Sequence, residues 1–388
     1  MCNNVINGDS QLIICPPELL PTALETLLHC VPDRERECCC PGCSGSASSG
    51  VKDEHSPAAT FMALGMWFKK LTRTSPVQET NISPARFLLA GIPGLEAHGP
   101  WFSIPFCSMY LIAILGNSLI LFVIKTQQNL HQPMYLFLSM LSVTDLGLSA
   151  STLPTMLSVF LFNTREIGID VCLTQLFFIH TFSIMESSVL VAMAFDRFVA
   201  IRHPLRYAST LTSARIGNIG LAIIIRGIGL HIPAVILLQR WPYSKIQPLS
   251  YSYSLHPDVM KMACADTASS SFYGLFVILS SLGLDSVLIV LSYIMILQTV
   301  LSITSWQERL KALNTCVSHI CVTLLFYILQ ISLSMIHRFK KQALPQSQIL
   351  LSYLHLLLPL VLNPIVHNMK TKEIRKRIMK IFKVPSPL

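Results

Sequence analysis

Residues 171–201 read VCLTQLFFIHTFSIMESSVLVAMAFDRFVAI. Past Val171, Glu186 is the only charge before the Asp196-Arg197 pair near the end. The run exceeds the ~20 apolar residues that cross a bilayer. Six further blocks flank it, from about Phe102 to Ile124, Met134 to Phe160, Ile216 to Leu238, Phe272 to Ile303, Leu313 to Ile336 and Ile349 to Val366. Lipid leaves each segment to pair its own backbone polar groups, so the blocks predict helices. None shows the alternation of a membrane barrel. The predicted fold is an all-α membrane protein, a bundle of seven transmembrane helices over residues 101–370.

Composition agrees. A soluble chain of 388 residues would hold two or three domains of about 150. Here hydrophobic residues make up 52%, charged residues 13%, and mean hydropathy is +0.55. Soluble domains carry about 25% charge, and disordered chains are poor in apolar residues, so both classes are excluded. The net charge of +9 has a topological source, and no nucleic-acid partner is expected. Lys125, then Arg197, Arg202, Arg206 and Arg215, then Arg309 and Lys311, then Lys370, Lys372, Arg375, Lys376, Arg377, Lys380 and Lys383 fall in alternate connections. That bias makes those connections cytoplasmic and the N-terminus extracellular.

Both ends of the chain differ from the blocks. In residues 371–382 (TKEIRKRIMKIF), Ile374, Ile378, Ile381 and Phe382 share one face and bases the other. This predicts a short amphipathic helix on anionic lipid within residues 371–388; a solvated basic tail is the alternative. Residues 1–75 hold seven of the twelve cysteines but no sustained period, and read as a disordered extension. Cys40 and Cys43 have half-zinc-site spacing without a second pair, so no metal is expected. Residues 76–100 form an extracellular segment in which Asn81-Ile82-Ser83 is a glycosylation acceptor.

Polar groups inside the blocks are costly and point to function. Asn117, Asp145, Glu186 and Asn363 come from four different helices, and could meet at mid-depth. Asp145 and Glu186 would then share a proton or a sodium ion, or form a pair that only fixes packing. Cys172 and Arg197 are 25 residues apart, or about 37 Å along a helix, so they mark opposite membrane faces. Asp196-Arg197 at the inner face suits a pair that holds an inactive state.

Met193-Ala194-Phe195-Asp196-Arg197-Phe198-Val199-Ala200-Ile201 resembles the third-helix signature of the olfactory receptors, within the rhodopsin-like G-protein-coupled receptors. Gly116-Asn117, residues 130–135 (LHQPMY), residues 311–319 (KALNTCVSH) and Asn363-Pro364 match in the same order. Residues 87–96 (FLLAGIPGLE) and His337-Arg338-Phe339 resemble class I, fish-like members. The likeness covers about residue 80 onward. It implies an odorant ligand, a stimulatory olfactory-type G protein acting on adenylyl cyclase, and the plasma membrane. It also implies a switch at Asp196 and Arg197, with Arg202, Arg206 and Lys311 near the docking surface.

Several positions depart from the family pattern. His367 stands where a tyrosine is usual, Leu313 for a Phe, Arg202 for a Cys and Leu329 for a Pro. Ser254 and Ser244 stand where the family's loop cysteines would pair with Cys172 and Cys264, leaving Cys172–Cys264 as a substitute disulfide. A decayed or non-signalling variant is the competing reading.

The ligand site is expected between the third, fifth and sixth helices. Arg338 would pair with a carboxylate, His180 and Ser334 would hydrogen-bond it, and Phe177, Phe178 and Phe182 would hold an alkyl chain. Alternatively Arg338 snorkels or pairs with Asp258, and His180 is a satisfied core histidine. A transporter would predict internal repeats, and a membrane enzyme a zinc helix or nucleophile elbow; the sequence contains neither. The chain is therefore not expected to be an enzyme.

Overall fold

The computed structural model describes residues 86–90, 99–243, 246–264, 267–339 and 345–370, together with 374, 375 and 377. Seven long apolar helices dominate: α1 (Gly99–Thr126), α2 (Pro133–Phe160), α3 (Ile169–Arg202), α4 (Ser213–Gln239), α5 (Ala268–Leu301), α6 (Trp306–Phe339) and α7 (Pro345–Lys370). Their ends follow from local chemistry. Pro133 opens α2, where a missing N–H costs nothing. The Thr212 side chain caps α4 by accepting from the Arg215 N–H. Most helices run a few residues past the apolar blocks, because backbone pairing continues after the hydrocarbon stops.

Packing sets α3 at the centre. It meets α2, α4 and α5 extensively, while α1 closes the ring between α2 and α7. Of the central stretch of α3, 67% is buried, against 28% for α5. The large apolar residues left outside, such as Leu111, Leu115 and Phe122 on α1 and Phe276, Val287 and Leu291 on α5, form a lipid-facing surface. Within α5, residues Leu279–Gly283 widen into a π-helical turn, a distortion that frees a backbone carbonyl.

A feature absent from the sequence reading closes one end of the bundle. Strand β1 (Arg86–Leu88) lies between β2 (Glu166–Gly168) and β3 (Ile246–Pro248), antiparallel to the first and parallel to the second. Phe87, fully buried, meets the Tyr243 ring edge-on at 5.5 Å. The exposed Arg86–Glu166 ion pair at 2.9 Å contributes little. From β3 the chain dips inward through Tyr251, Ser252, Tyr253 and Ser254, all buried, before the short helix His256–Lys261.

Of the expected amphipathic helix, Ile374 is helical and buried in the main core cluster and Arg375 is exposed; residues 378–388 lie outside the described residues. So do residues 1–85, including Asn81 and the Cys40–Cys43 spacing.

At Gly116, α1 passes close to α7, and a Cβ there would sit 2.8 Å from the Pro364 Cβ. The proline ring cannot swing away. Gly217 on α4 faces open space. Gly116→Ala should therefore destabilise the protein by about 1–3 kcal/mol as overpacking. Gly217→Ala should be neutral or slightly stabilising. Thermal unfolding of the two variants in detergent checks the contrast; equal midpoints would refute it.

Candidate functional site

At mid-depth three buried side chains from three helices meet. Asn363 Nδ2 on α7 donates to Asp145 Oδ1 and Oδ2 on α2 at 3.2 and 3.1 Å, and to Glu186 Oε1 on α3 at 3.2 Å. Asn117 on α1 donates to the Ala113 carbonyl at 3.0 Å and lies 3.5 Å from the Leu360 carbonyl, one turn before Asn363 on α7. All four expected residues are buried. An amide has two N–H groups, and here three carboxylate oxygens converge on them. Asn363 Oδ1 itself has no partner among the described residues. Two carboxylates so close in a dry site call for a compensating positive charge.

A second network lies beside the first, and the sequence reading missed it. Arg226 of α4 reaches Asp285 Oδ2 of α5 at 3.0 Å and Ser188 Oγ of α3 at 2.5 Å. Its other nitrogen donates to the Ser280 carbonyl at 2.8 Å, inside the π-helical turn. Ser187 Oγ donates to the same Asp285 oxygen at 2.6 Å and is 2.8 Å from the Tyr327 hydroxyl on α6. The default that an intramembrane charge marks function applies equally to Arg226 and Asp285, and would have found them. Glu186, Ser187 and Ser188 are consecutive, so α3 carries both networks and links six of the seven helices through polar contacts; α1 joins through Asn117.

At one end of α3, Arg197 Nη2 and Nε donate to Asp196 Oδ2 at 2.6 and 3.0 Å. Tyr207, just after α3, donates to Asp196 Oδ1 at 2.7 Å. Burial, then the bond to the Asp196 carboxylate, hold the Tyr207 hydroxyl protonated well above the usual phenol range. Tyr207 was not anticipated. Tyr293 on α5 also bonds His319 Nδ1 on α6, bridging the same region. His367 and Lys311 are placed as backbone positions on α7 and α6; their side chains lie outside the described residues.

At the sheet end, His180 stacks flat on His231 of α4, ring centroids 5.1 Å apart and 9° from parallel. His180 Nε2 accepts the His256 N–H at 3.3 Å, which makes the ring neutral with its proton on Nδ1. His256 Nε2 in turn lies 3.2 Å from Ser270 Oγ on α5. The three expected aromatics form a run of ring contacts: Phe177 meets Phe178 edge-on at 5.4 Å, and Phe178 stacks on Phe182 at 6.1 Å. Phe177 is buried in the cluster under the sheet, and Phe178 packs beside it. Phe182 packs against Gly147 of α2. Ser334 is half-buried on α6, and the Arg338 side chain lies outside the described residues.

The expected Cys172–Cys264 disulfide does not form. Cys172 Sγ instead lies 2.9 Å from Ser254 Oγ, so the loop residue facing it has no sulfur to bond. Among the described residues no group of three or more His, Cys, Asp or Glu is placed to hold a metal ion.

Removing one partner of a buried ion pair strands the other and costs about 3–5 kcal/mol. Arg226→Met should therefore lower the thermal midpoint strongly, and adding Asp285→Leu should restore part of the loss. Equal stability of the single and double variants would show that the pair is not coupled.

The comparisons with known proteins follow this geometry. The family model described as olfactory receptor matches residues 106–384. Human olfactory receptor 51G2 is 58% identical over 298 residues, covering 77% of this chain and 95% of that protein. Human olfactory receptor OR51C1 is 54% identical, covering 76% and 95%. The fold is similar to that of squid rhodopsin, at a TM-score of 0.62 and 14% identity, over 76% of this chain and 90% of that one. With seven membrane-spanning helices, a rhodopsin-like bundle and relatives of this identity along most of its length, the chain belongs to the olfactory receptors, a family of G-protein-coupled receptors rather than enzymes.

Proposed function

We propose that the protein is a plasma-membrane receptor for a small carboxylate-bearing odorant, with its N-terminus outside the cell, that activates a stimulatory olfactory-type G protein. One observation carries the reading: α3 bears, along a single rod, His180 at the sheet end, Glu186 to Ser188 at mid-depth and Asp196-Arg197 at the far end. His180 and Asp196 are 16 residues apart, or about 24 Å. A ligand at the first reaches the last only by favouring one arrangement of the helices between them.

The ligand end supplies a neutral histidine with its Nδ1 proton, Ser334 one turn below Arg338, and apolar walls. Arg338 supplies the charge that a carboxylate needs, in bidentate geometry if available. At the G-protein end, Asp196 is held by Arg197 and Tyr207, a closed state; opening would release Arg197, with Arg202, Arg206 and Lys311 at the docking face. The compensating charge between Asp145 and Glu186 is a proton or a sodium ion, and Asn363 Oδ1 is an oxygen ready to contribute to the latter. The second reading, a non-signalling variant, draws on His367 and on the missing cross-link at Ser254.

A cyclic AMP reporter in cells displaying the receptor, exposed to straight-chain acids and the matching alcohols and aldehydes, tests both. The expected result is a response to acids whose half-maximal concentration rises at least about tenfold in Arg338→Ala, the loss of one charge-assisted bond. An unchanged acid response in that variant would sink the carboxylate reading. A receptor that reaches the surface and answers nothing would favour the non-signalling one.

A further inference from the structure

The stretch Tyr251–Ser254 belongs to a loop, yet it is as buried as the helices, and it is tied to Ala90 after β1, to α7 and to α3. Tyr251 accepts the Ala90 N–H through its carbonyl at 3.2 Å. Ser252 Oγ bonds the Ala90 carbonyl and lies 2.5 Å from the Tyr353 hydroxyl of α7. Tyr253 donates to the Ser352 carbonyl at 3.0 Å. Ser254 is held by α3, where its N–H donates to Gln175 Oε1 at 3.0 Å and its Oγ lies 2.9 Å from both Gln175 Oε1 and Cys172 Sγ. One hydroxyl proton serves only one of these, and the thiol proton can serve the other.

Gln175 is 2% exposed, and its amide is spent in one direction on each side. The NH2 group donates to the Ser151 carbonyl at 3.0 Å and to Thr155 Oγ1 at 2.6 Å, both on α2. The oxygen is left for the loop alone. The bonding therefore fixes which way the amide points, and a flipped amide would face donors with donors. Two residues beyond Ser254, the His256 N–H rests on His180 Nε2.

We propose that Gln175 is a positioning residue of the ligand site. It clamps Ser254 to α3, and through Ser254 sets the His256 contact that fixes the His180 tautomer, doing by hydrogen bonds what a covalent link at Cys172 would do. The loop is then closed without a disulfide and stays closed under reducing conditions. The clamp itself stands on geometry; its effect on odorant potency rests on the proposed carboxylate site.

The test uses the full chain in membranes and follows maleimide labelling of the Cys172-containing peptide by mass spectrometry. Wild-type Cys172 should be protected with or without dithiothreitol. Gln175→Leu should label at least about tenfold faster, as a buried polar partner is lost, and Ser254→Ala should fall between. A second arm adds Ser254→Cys to Gln175→Leu and oxidises with dioxygen and copper–phenanthroline, so that two thiols yield two electrons and two protons and one S–S bond forms. This should return the half-maximal acid concentration toward wild type, and dithiothreitol should abolish the rescue. Unchanged labelling in both single variants, or dithiothreitol exposing wild-type Cys172, overturns the clamp. If Gln175→Leu does not reach the surface, Ser254→Ala carries the labelling arm. Altered labelling in a receptor that answers no acid would uphold the clamp while defeating the carboxylate reading.

Discussion

Arg226 and Asp285 stand 3.0 Å apart in a medium that offers no water to replace either partner. The distortion of α5 supplies Arg226 with a further partner. The guanidinium has more donors than one carboxylate can take, and the π-helical turn at Leu279–Gly283 turns the Ser280 carbonyl toward it. The distortion of α5 and the charge on α4 are thus one arrangement. Ser187 and Ser188 bring α3 into it, and Tyr327 brings α6. Helices that would otherwise be held by van der Waals packing alone acquire a fixed rotation and depth.

The same helix faces the other way at Glu186. Asn363 bridges it to Asp145, and Gly116 lets α1 come close enough to α7 for Asn117 to reach the Leu360 carbonyl. Consecutive residues on α3 therefore belong to two networks, one toward α2 and α7, the other toward α4, α5 and α6. A rotation of α3 cannot satisfy one without disturbing the other. The two networks together thereby limit how far α3 can turn within the bundle.

How far the sequence could be read depended on whether a signal was periodic or pairwise. Seven apolar blocks are a property of composition along the chain, and they located the helices to within four residues at every end but the start of α6, which lies seven residues earlier. Asn117, Asp145, Glu186 and Asn363 stood out as carboxylates and amides inside apolar blocks, and the structure brings Asp145, Glu186 and Asn363 into contact. Arg226 and Asp285 met the same criterion but carried no familiar motif. Tyr207 sits in a loop where polarity is unremarkable. The strands escaped because three residues are too few to show alternation. His231, Gln175 and the buried Tyr251–Ser254 segment owe their roles to partners dozens of residues away, which no local pattern encodes. Of the aromatics around His180, residues 178 and 182 share a helix face and their rings stack, which the one-turn spacing made legible.

Where the chain departs from the family pattern also has a physical order. Ser254 lies in the loop at the sheet end, Arg202 is the last residue of α3, Leu313 lies two turns into α6, and His367 is in the last turn of α7. At Ser254, which is fully buried, Gln175 and Cys172 supply the polar partners. Within the hydrocarbon no such substitute exists, and an orphaned Asp145 or Asp285 would remain a buried charge. Leu329 is the departure in the middle of a helix, and there a proline gives way to a residue that restores a backbone donor and strands no polar group. Asn117 and Asn363, at mid-depth, stand in segments that resemble the family pattern. The hydrogen-bonded contact between Ser254 and Cys172 shows how a departure at the sheet end is met, with a polar partner standing where a covalent one is usual.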